Sequence, residues 1–175
     1  LMDYRRHIGF LTSELKLEDY FTPNYLFDYF SKLYGVGEEQ AAQRKKELFE
    51  KFGIDKFAEV KVADMSTGMK QKISLVISIV HNPDIIIFDE PTTGLHFHDI
   101  RKLLEAFDAL ILRGHSIVII EHNMDVIKCA DYVIDLGPEG GNKGGNLVAA
   151  GTPEEVARCA ESYTGQFLQE KLHMK

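Results

Sequence analysis

The chain has 175 residues, 45% of them hydrophobic, enough to bury a core as one domain with room for a small lobe. Acidic residues outnumber Lys and Arg by 27 to 20, and the net charge of −7 does not favour a nucleic-acid footprint. No apolar run approaches the ~20 residues that span a bilayer, and Leu1 to Arg6 lacks the apolar stretch of a signal peptide, so the expectation is a cytoplasmic protein with no transmembrane segment.

His7 to Leu11 has the character of a short strand. Thr22 and Pro23 then supply an N-cap and a first-turn proline, and Leu26, Phe27, Phe30, Leu33 and Tyr34 recur at helical spacing up to Gly35. A second helix is expected over Glu38 to Phe52, charged along most of its length, with Leu48, Phe49 and Phe52 towards its end and Gly53 as its stop. Together these give a helical lobe over residues 1–62, whose dense aromatics read as core.

Residues 63–175 read as an α/β lobe. Asp64 to Lys72 opens a helix in which Ile73, Leu75, Val76, Ile77, Ile79 and Val80 leave little polar face, so it is expected to be buried. Ser66 reads as its N-cap. Ser66 and Gly68 at the mouth of a helix also present backbone N–H groups at the positive end of the dipole, a seat for a phosphate. After the turn Asn82-Pro83-Asp84, four apolar residues from Ile85 to Phe88 bring a buried strand to Asp89 and Glu90. An open parallel sheet binds its ligand at the carboxyl edge, so this pair is placed to handle a metal and a water beside a phosphate. The alternative is a core strand ending in two solvated acids.

Asp99 is expected to cap a helix carrying Ile100, Leu103, Leu104, Phe107, Leu110 and Ile111 up to Gly114. Ser116 to Ile120 reads as a second buried strand, again ending at the carboxyl edge in Glu121-His122-Asn123. A short helix through Val126 and Ile127, a strand from Tyr132 to Leu136, a glycine-rich turn over 137–145 and an antiparallel return from Leu147 to Ala150 follow. Thr152 and Glu155 form a capping box that starts a terminal helix. Cys129 and Cys159 form no CxxC pattern and read as reduced thiols. The alternation of strand and helix gives an α/β fold class with a mainly parallel sheet.

The whole series resembles the ATP-binding cassette (ABC) ATPases. Ser66-Thr67-Gly68-Met69-Lys70-Gln71 is similar to the signature motif, Ile85 to Glu90 to the Walker B strand, Gly94-Leu95-His96 to the D-loop, and His122 to the switch histidine. The resemblance implies a partial P-loop NTPase fold with ATP and Mg²⁺ as cofactors. Asp89 would hold Mg²⁺ through water, Glu90 would polarise the attacking water, His122 would contact the γ-phosphate, and Ser66, Gly68 and Gln71 would bind nucleotide. Phosphoryl transfer needs positioning and charge neutralisation, and these residue types supply both.

The two halves resemble different branches. Up to about Leu95 the likeness is to transporter ATPases of the NatA kind, through Ile8 to Thr12 and Phe30 to Gly35. From Gly94 it is to the UvrA proteins of excinucleases, through Gly94 to Ile100, Glu121 to Asn123, Asp135 to Gly141 and Ser162 to Leu168. A mosaic origin, as a recombined gene or a deliberate chimera, would put the seam in the shared Asp89 to Leu95 segment. Three departures stand out: no Gly-x-x-x-x-Gly-Lys-Ser/Thr (Walker A) run occurs, the Q-loop position falls at Ser13 beside Glu14, and His96 replaces the usual D-loop aspartate. His96 and His98 read as solvent-facing residues at a helix start rather than a metal pair, and the zinc modules of excinucleases have no counterpart.

The resulting expectation is a C-terminal part of an ABC-type ATPase domain, inactive alone. Its partner would be a second ABC cassette or a Walker A-containing fragment, with a membrane transporter subunit or DNA reached through a complex. A UvrA-like damage-recognition module and a non-catalytic chimeric scaffold are the alternatives.

Overall fold

The computed structural model describes residues 4–12, 17–137 and 144–173, so the Q-loop position at Ser13 and Glu14 and most of the glycine-rich turn lie outside the described residues. The chain divides into two compact units, Leu1–Ile120 and Glu121–Lys175. These do not coincide with the lobes expected at 1–62 and 63–175. The reason is β1 (Ile8–Thr12), which pairs in parallel with β2 (Ile85–Asp89) and so joins the N-terminal helices to the central strands in one core.

In the first unit, β2 lies between β1 and β3 (Ser116–Ile120), all three parallel, with Thr12, Asp89 and Ile120 level at the carboxyl edge. The inner face of the sheet sends Leu11, Ile86 and Phe88 into the core. There Phe88 stacks on Phe107 of α4 (Phe97–Ile111), with ring centroids 4.9 Å apart. Helix α1 (Pro23–Leu33) starts at Thr22, whose hydroxyl accepts from the Tyr25 amide, and α2 (Glu38–Phe52) ends at left-handed Gly53, as their sequences require. Phe27 of α1 meets Phe49 of α2 edge to face at 5.6 Å. Lys45 of α2 ties the pair together by donating to Asp28 at 2.7 Å. Helix α3 (Thr67–Ser78) is buried from Ile73 to Ser78, and His81 beyond it stacks on Tyr34 at 4.0 Å.

Four expectations need correction. Of the aromatics read as core, Tyr20, Tyr25 and Tyr29 are exposed, while Phe27 is buried. Helix α4 is capped at His96, with Asp99 in its first turn, where a carboxylate still faces the positive end of the dipole. Leu33 and Ile111, placed on apolar faces by their spacing, are exposed because each stands in the last turn, beyond the packed part of its helix. The two strands expected to be buried are open on one side: Ile85, Val118 and Ile120 are 39%, 51% and 50% exposed, as is Phe10 of neighbouring β1 at 55%, since among the described residues helices cover only the inner face.

The second unit holds α5 (Met124–Ile127), an antiparallel pair β4 (Val133–Leu136) and β5 (Leu147–Gly151), α6 (Pro153–Ala157) and α7 (Tyr163–Lys171). The capping box of Thr152 and Glu155 is formed, and Val133, Val156, Ala157 and Leu168 make a small core. Among the described residues no helix is long and apolar enough to cross a membrane.

Candidate functional site

Asp89 is the last residue of the central strand, and Glu90 breaks the strand by taking a left-handed backbone with φ of 47°. For a residue with a side chain that conformation costs about 1–2 kcal/mol, and it persists where neighbours over-determine it. Here the Glu90 amide donates to the Ile120 carbonyl at 2.9 Å, its carbonyl accepts from the Thr93 amide at 3.2 Å, and its Oε2 accepts from the Thr93 hydroxyl at 3.2 Å. The strained turn therefore ends the strand at the acidic pair.

The mouth of α3 packs beside this turn. Ser66 caps the helix by accepting from the Met69 amide at 3.3 Å, and the Gln71 side chain donates to the Pro91 carbonyl at 2.9 Å. At Gly68 an added Cβ would stand 3.5 Å from the Asp99 carboxylate, so the start of α4 closes against the start of α3. Asp89, Glu90, Ser66, Gly68 and Gln71 are thus carried on two adjoining segments of one unit, the end of β2 and the start of α3. Gln71, read as a nucleotide contact, here braces the residue that follows Glu90. His122 belongs to the second unit and is exposed. Its amide and that of Asn123 both donate to Glu121 Oε2, at 2.9 and 3.0 Å, while the Asn123 side chain caps α5.

The donor set suits Mg²⁺. That ion keeps several waters and takes one or two carboxylates together with substrate phosphates, rather than a protein cage. Asp89 and Glu90 at a strand edge supply that much, and among the described residues no group of three His, Cys, Asp or Glu forms a cage. The sequence holds no Gly-x-x-x-x-Gly-Lys-Ser/Thr run.

Two side-chain clusters escaped sequence reasoning, because their partners are far apart in the chain. Asp135 of β4 accepts from the hydroxyls of Ser162 at 2.6 Å and Thr164 at 2.7 Å, and the Ser162 hydroxyl in turn accepts from the Gly165 amide. This pins α7 to the sheet from within the Asp135 and Ser162-Tyr163-Thr164 stretches. Asp125 of α5 accepts from Lys128 at 2.8 Å and Lys171 at 3.1 Å, and these hydrogen bonds hold its carboxyl below the ordinary carboxylate range.

The profile of the family described as ABC transporter matches residues 1–93. "UvrABC system protein A" of Micrococcus luteus is 56% identical over 111 residues, 62% of this chain, so the chain spans only 11% of that protein's length. That stretch is longer than the whole of 94–175, so the UvrA likeness reaches upstream of Gly94 and overlaps the family match. Among solved structures, the "ATP binding subunit of ABC transporter" superposes with a TM-score of 0.75 at 25% identity, covering 97% of this chain and 70% of that one. UvrA2 from Deinococcus radiodurans superposes with a TM-score of 0.62 at 31% identity, covering 88% of this chain and 18% of that one.

Proposed function

Because the chain belongs to the ABC transporter family, we propose that it is part of an ATP-binding and ATP-hydrolysing domain whose phosphate loop lies outside these 175 residues. The observation that carries this reading is the Asp89-Glu90 pair at the carboxyl edge of the central parallel strand, braced by the signature-like helix through Gln71 and Pro91. Asp89 would hold Mg²⁺ through water. A bound Mg²⁺ neutralises phosphate charge and templates the transferring group. Glu90, held in its strained turn, accepts a proton from the attacking water at its carboxylate. Ser66 and Gly68 face nucleotide held by a second ABC cassette, and His122 contacts the γ-phosphate.

On this reading the chain alone turns over little ATP. Calorimetric titration of ATP–Mg²⁺ into the wild type and Asp89→Asn measures any residual site. With a phosphate-loop fragment added, turnover should fall by at least about 100-fold in Glu90→Gln, the typical range for loss of a positioned base. Turnover by the isolated chain that Glu90→Gln removes would contradict the reading.

The 56% identity to UvrABC system protein A favours a second reading, an ATPase module of a DNA-repair complex. The net charge of −7 weighs against autonomous DNA binding, so any contact would run through the complex. A salt-sensitive gel shift of damaged duplex by this chain alone would reverse that judgement.

A further inference from the structure

Helix α2 carries a polar stripe that the core does not use. Gln40, Gln43, Arg44 and Glu47 recur three and four residues apart, so they share one side of the helix. That side lines a cleft of about 230 Å³. Buried Leu48, Ile79 and Leu110 supply its apolar lining. The rest of the wall comes from two turns, at Asn82 and at Arg113 with His115, which lead into β2 and β3 at the end of the sheet away from Asp89. All of it belongs to the first unit, on the side of the sheet where the helices pack.

The cleft gathers cations in a chain whose net charge is −7. Arg44 and Arg113 both line it, and burial, aided by the charge of Arg113, lowers the pKa of nearby Lys51. Burial also lowers the pKa of Arg44, against the opposing pull of Glu47. The acceptor that Arg44 meets is neutral, the Val80 carbonyl at 2.6 Å. Glu47 is the lone carboxylate among the described lining residues, and it is already engaged by Gln43 at 3.2 Å and by Arg113 at 3.4 Å. His115 donates from Nδ1 to the Pro83 carbonyl at 2.6 Å, which fixes its ring. The two arginines also stand near the carboxyl ends of α3 and α4, poles of about half a negative charge each, so helix capping is the rival role. Capping occupies one of the five N–H donors of a guanidinium and leaves the others turned to an enclosed volume.

We infer that this cleft binds a phosphoryl group, as inorganic phosphate or a small phosphate ester, between Arg44 and Arg113. The planar fork of a guanidinium matches phosphate oxygens two at a time. Two such forks, with the side-chain amides of Gln40, Gln43 and Asn82 as neutral donors, suit the three oxygens of a phosphoryl dianion better than the two of a carboxylate. The volume lies below the ~300–1,000 Å³ of drug-sized ligand sites, which leaves room for a few atoms beyond the phosphate and none for a nucleotide. The site is therefore distinct from the acidic pair and does not rest on the ATPase reading. Helix α3 nevertheless joins the two, since Ser66 caps its mouth and Val80, the acceptor of Arg44, follows its far end. Occupancy would hold α2 and the end of α4 against that far end.

The test titrates the isotope-labelled chain with inorganic phosphate, and separately with glycerol 3-phosphate, at constant ionic strength, following backbone amide shifts by NMR. Saturable shifts are expected at Gln40 to Glu47, at Asn82 and at Arg113 to His115. Arg44→Gln and Arg113→Gln should each weaken binding by at least about tenfold, as the loss of hydrogen bonds to a charged group does. Lys46→Gln removes the same charge from an exposed position of α2 outside the cleft and should change nothing. Glu47→Gln should tighten binding about two- to fivefold, because it frees Arg113 and removes a like charge. Unchanged or weaker binding in Glu47→Gln would make the arginines caps only and overturn the inference. So would shifts that never saturate, an equal loss in Lys46→Gln, or shifts centred on Ser66 to Gly68, which would put the phosphate at the mouth of α3. If Arg44→Gln loses its cooperative melt, Arg113→Gln, on an exposed turn, decides the comparison. Tighter binding of the ester would assign the remaining volume to its carbons, tighter binding of phosphate would assign the site to the free ion, and either upholds the inference.

Discussion

Ile86 and Val118 sit on neighbouring strands of one sheet, one pointing into the core at 0% exposure and the other out of it at 51%. Replacing each with alanine measures how differently the two faces are covered. Ile86→Ala removes fully buried atoms and leaves a cavity between the sheet and α3 and α4, at about 2–5 kcal/mol. Val118→Ala removes two methyl groups worth about 0.8 kcal/mol each when buried, and with half of that burial lost to solvent the cost is about 0.8 kcal/mol. Against a total stability of about 5–15 kcal/mol, only the first change is severe. The chain has no tryptophan, so urea unfolding is best followed by far-ultraviolet circular dichroism. With a slope of about 2 kcal/mol per molar, Ile86→Ala should lower the midpoint by about 1–2.5 M and Val118→Ala by about 0.4 M. Equal losses would refute the reasoning, because they would mean that the outer face is covered as well as the inner one.

Three further outcomes follow from particular contacts. His81 donates from Nε2 to the Ile8 carbonyl at 3.1 Å, its Nδ1 is buried without a partner among the described residues, and burial together with nearby Arg44 lowers its pKa. The unfolded imidazole, titrating near 6.5, therefore takes up its proton first, so the stability His81 contributes is full above that pH and declines as pH falls from there towards the folded value. Unfolding between pH 7 and 5 should show a flatter pH slope in His81→Phe, which keeps a ring against Tyr34. Ser66→Ala should cost about 1 kcal/mol by removing the cap of α3, and Ser66→Asp should restore it in the same denaturation assay. Gly165→Ala would drive a methyl into the Val156 carbonyl, where α7 crosses α6, at about 1–3 kcal/mol, and should raise the rate at which protease cleaves residues 121–173.

Much of the local structure was legible because its determinants are close in the chain. Thr22-Pro23, Ser66 and Thr152 with Glu155 mark helix starts through bonds spanning three residues, and Gly53 marks a stop through its left-handed backbone. The strand ending in Asp89 and Glu90 was readable from its apolar run and the turn before it. Asp99 misled because an acid in the first turn and an acid at the cap offer the dipole much the same charge, and only the fold selects His96 as the boundary. The bond from Gln71 to Pro91 and the clamp of Asp135 by Ser162 and Thr164 join residues twenty or more apart, and no local spacing encodes them.

By itself the sequence determined the α/β alternation, the caps and the placing of an acidic pair at a strand end, since each follows from periodicity or from side chains reaching the neighbouring backbone. Tertiary structure alone decided that β1 joins β2 in the sheet, that Glu90 is held in a strained turn by Ile120 and Thr93, and that one face of three apolar strands lies open. The physical reason is that an isoleucine's tendency to leave water is written in its side chain, whereas what covers it depends on which distant segment of chain arrives to exclude the water.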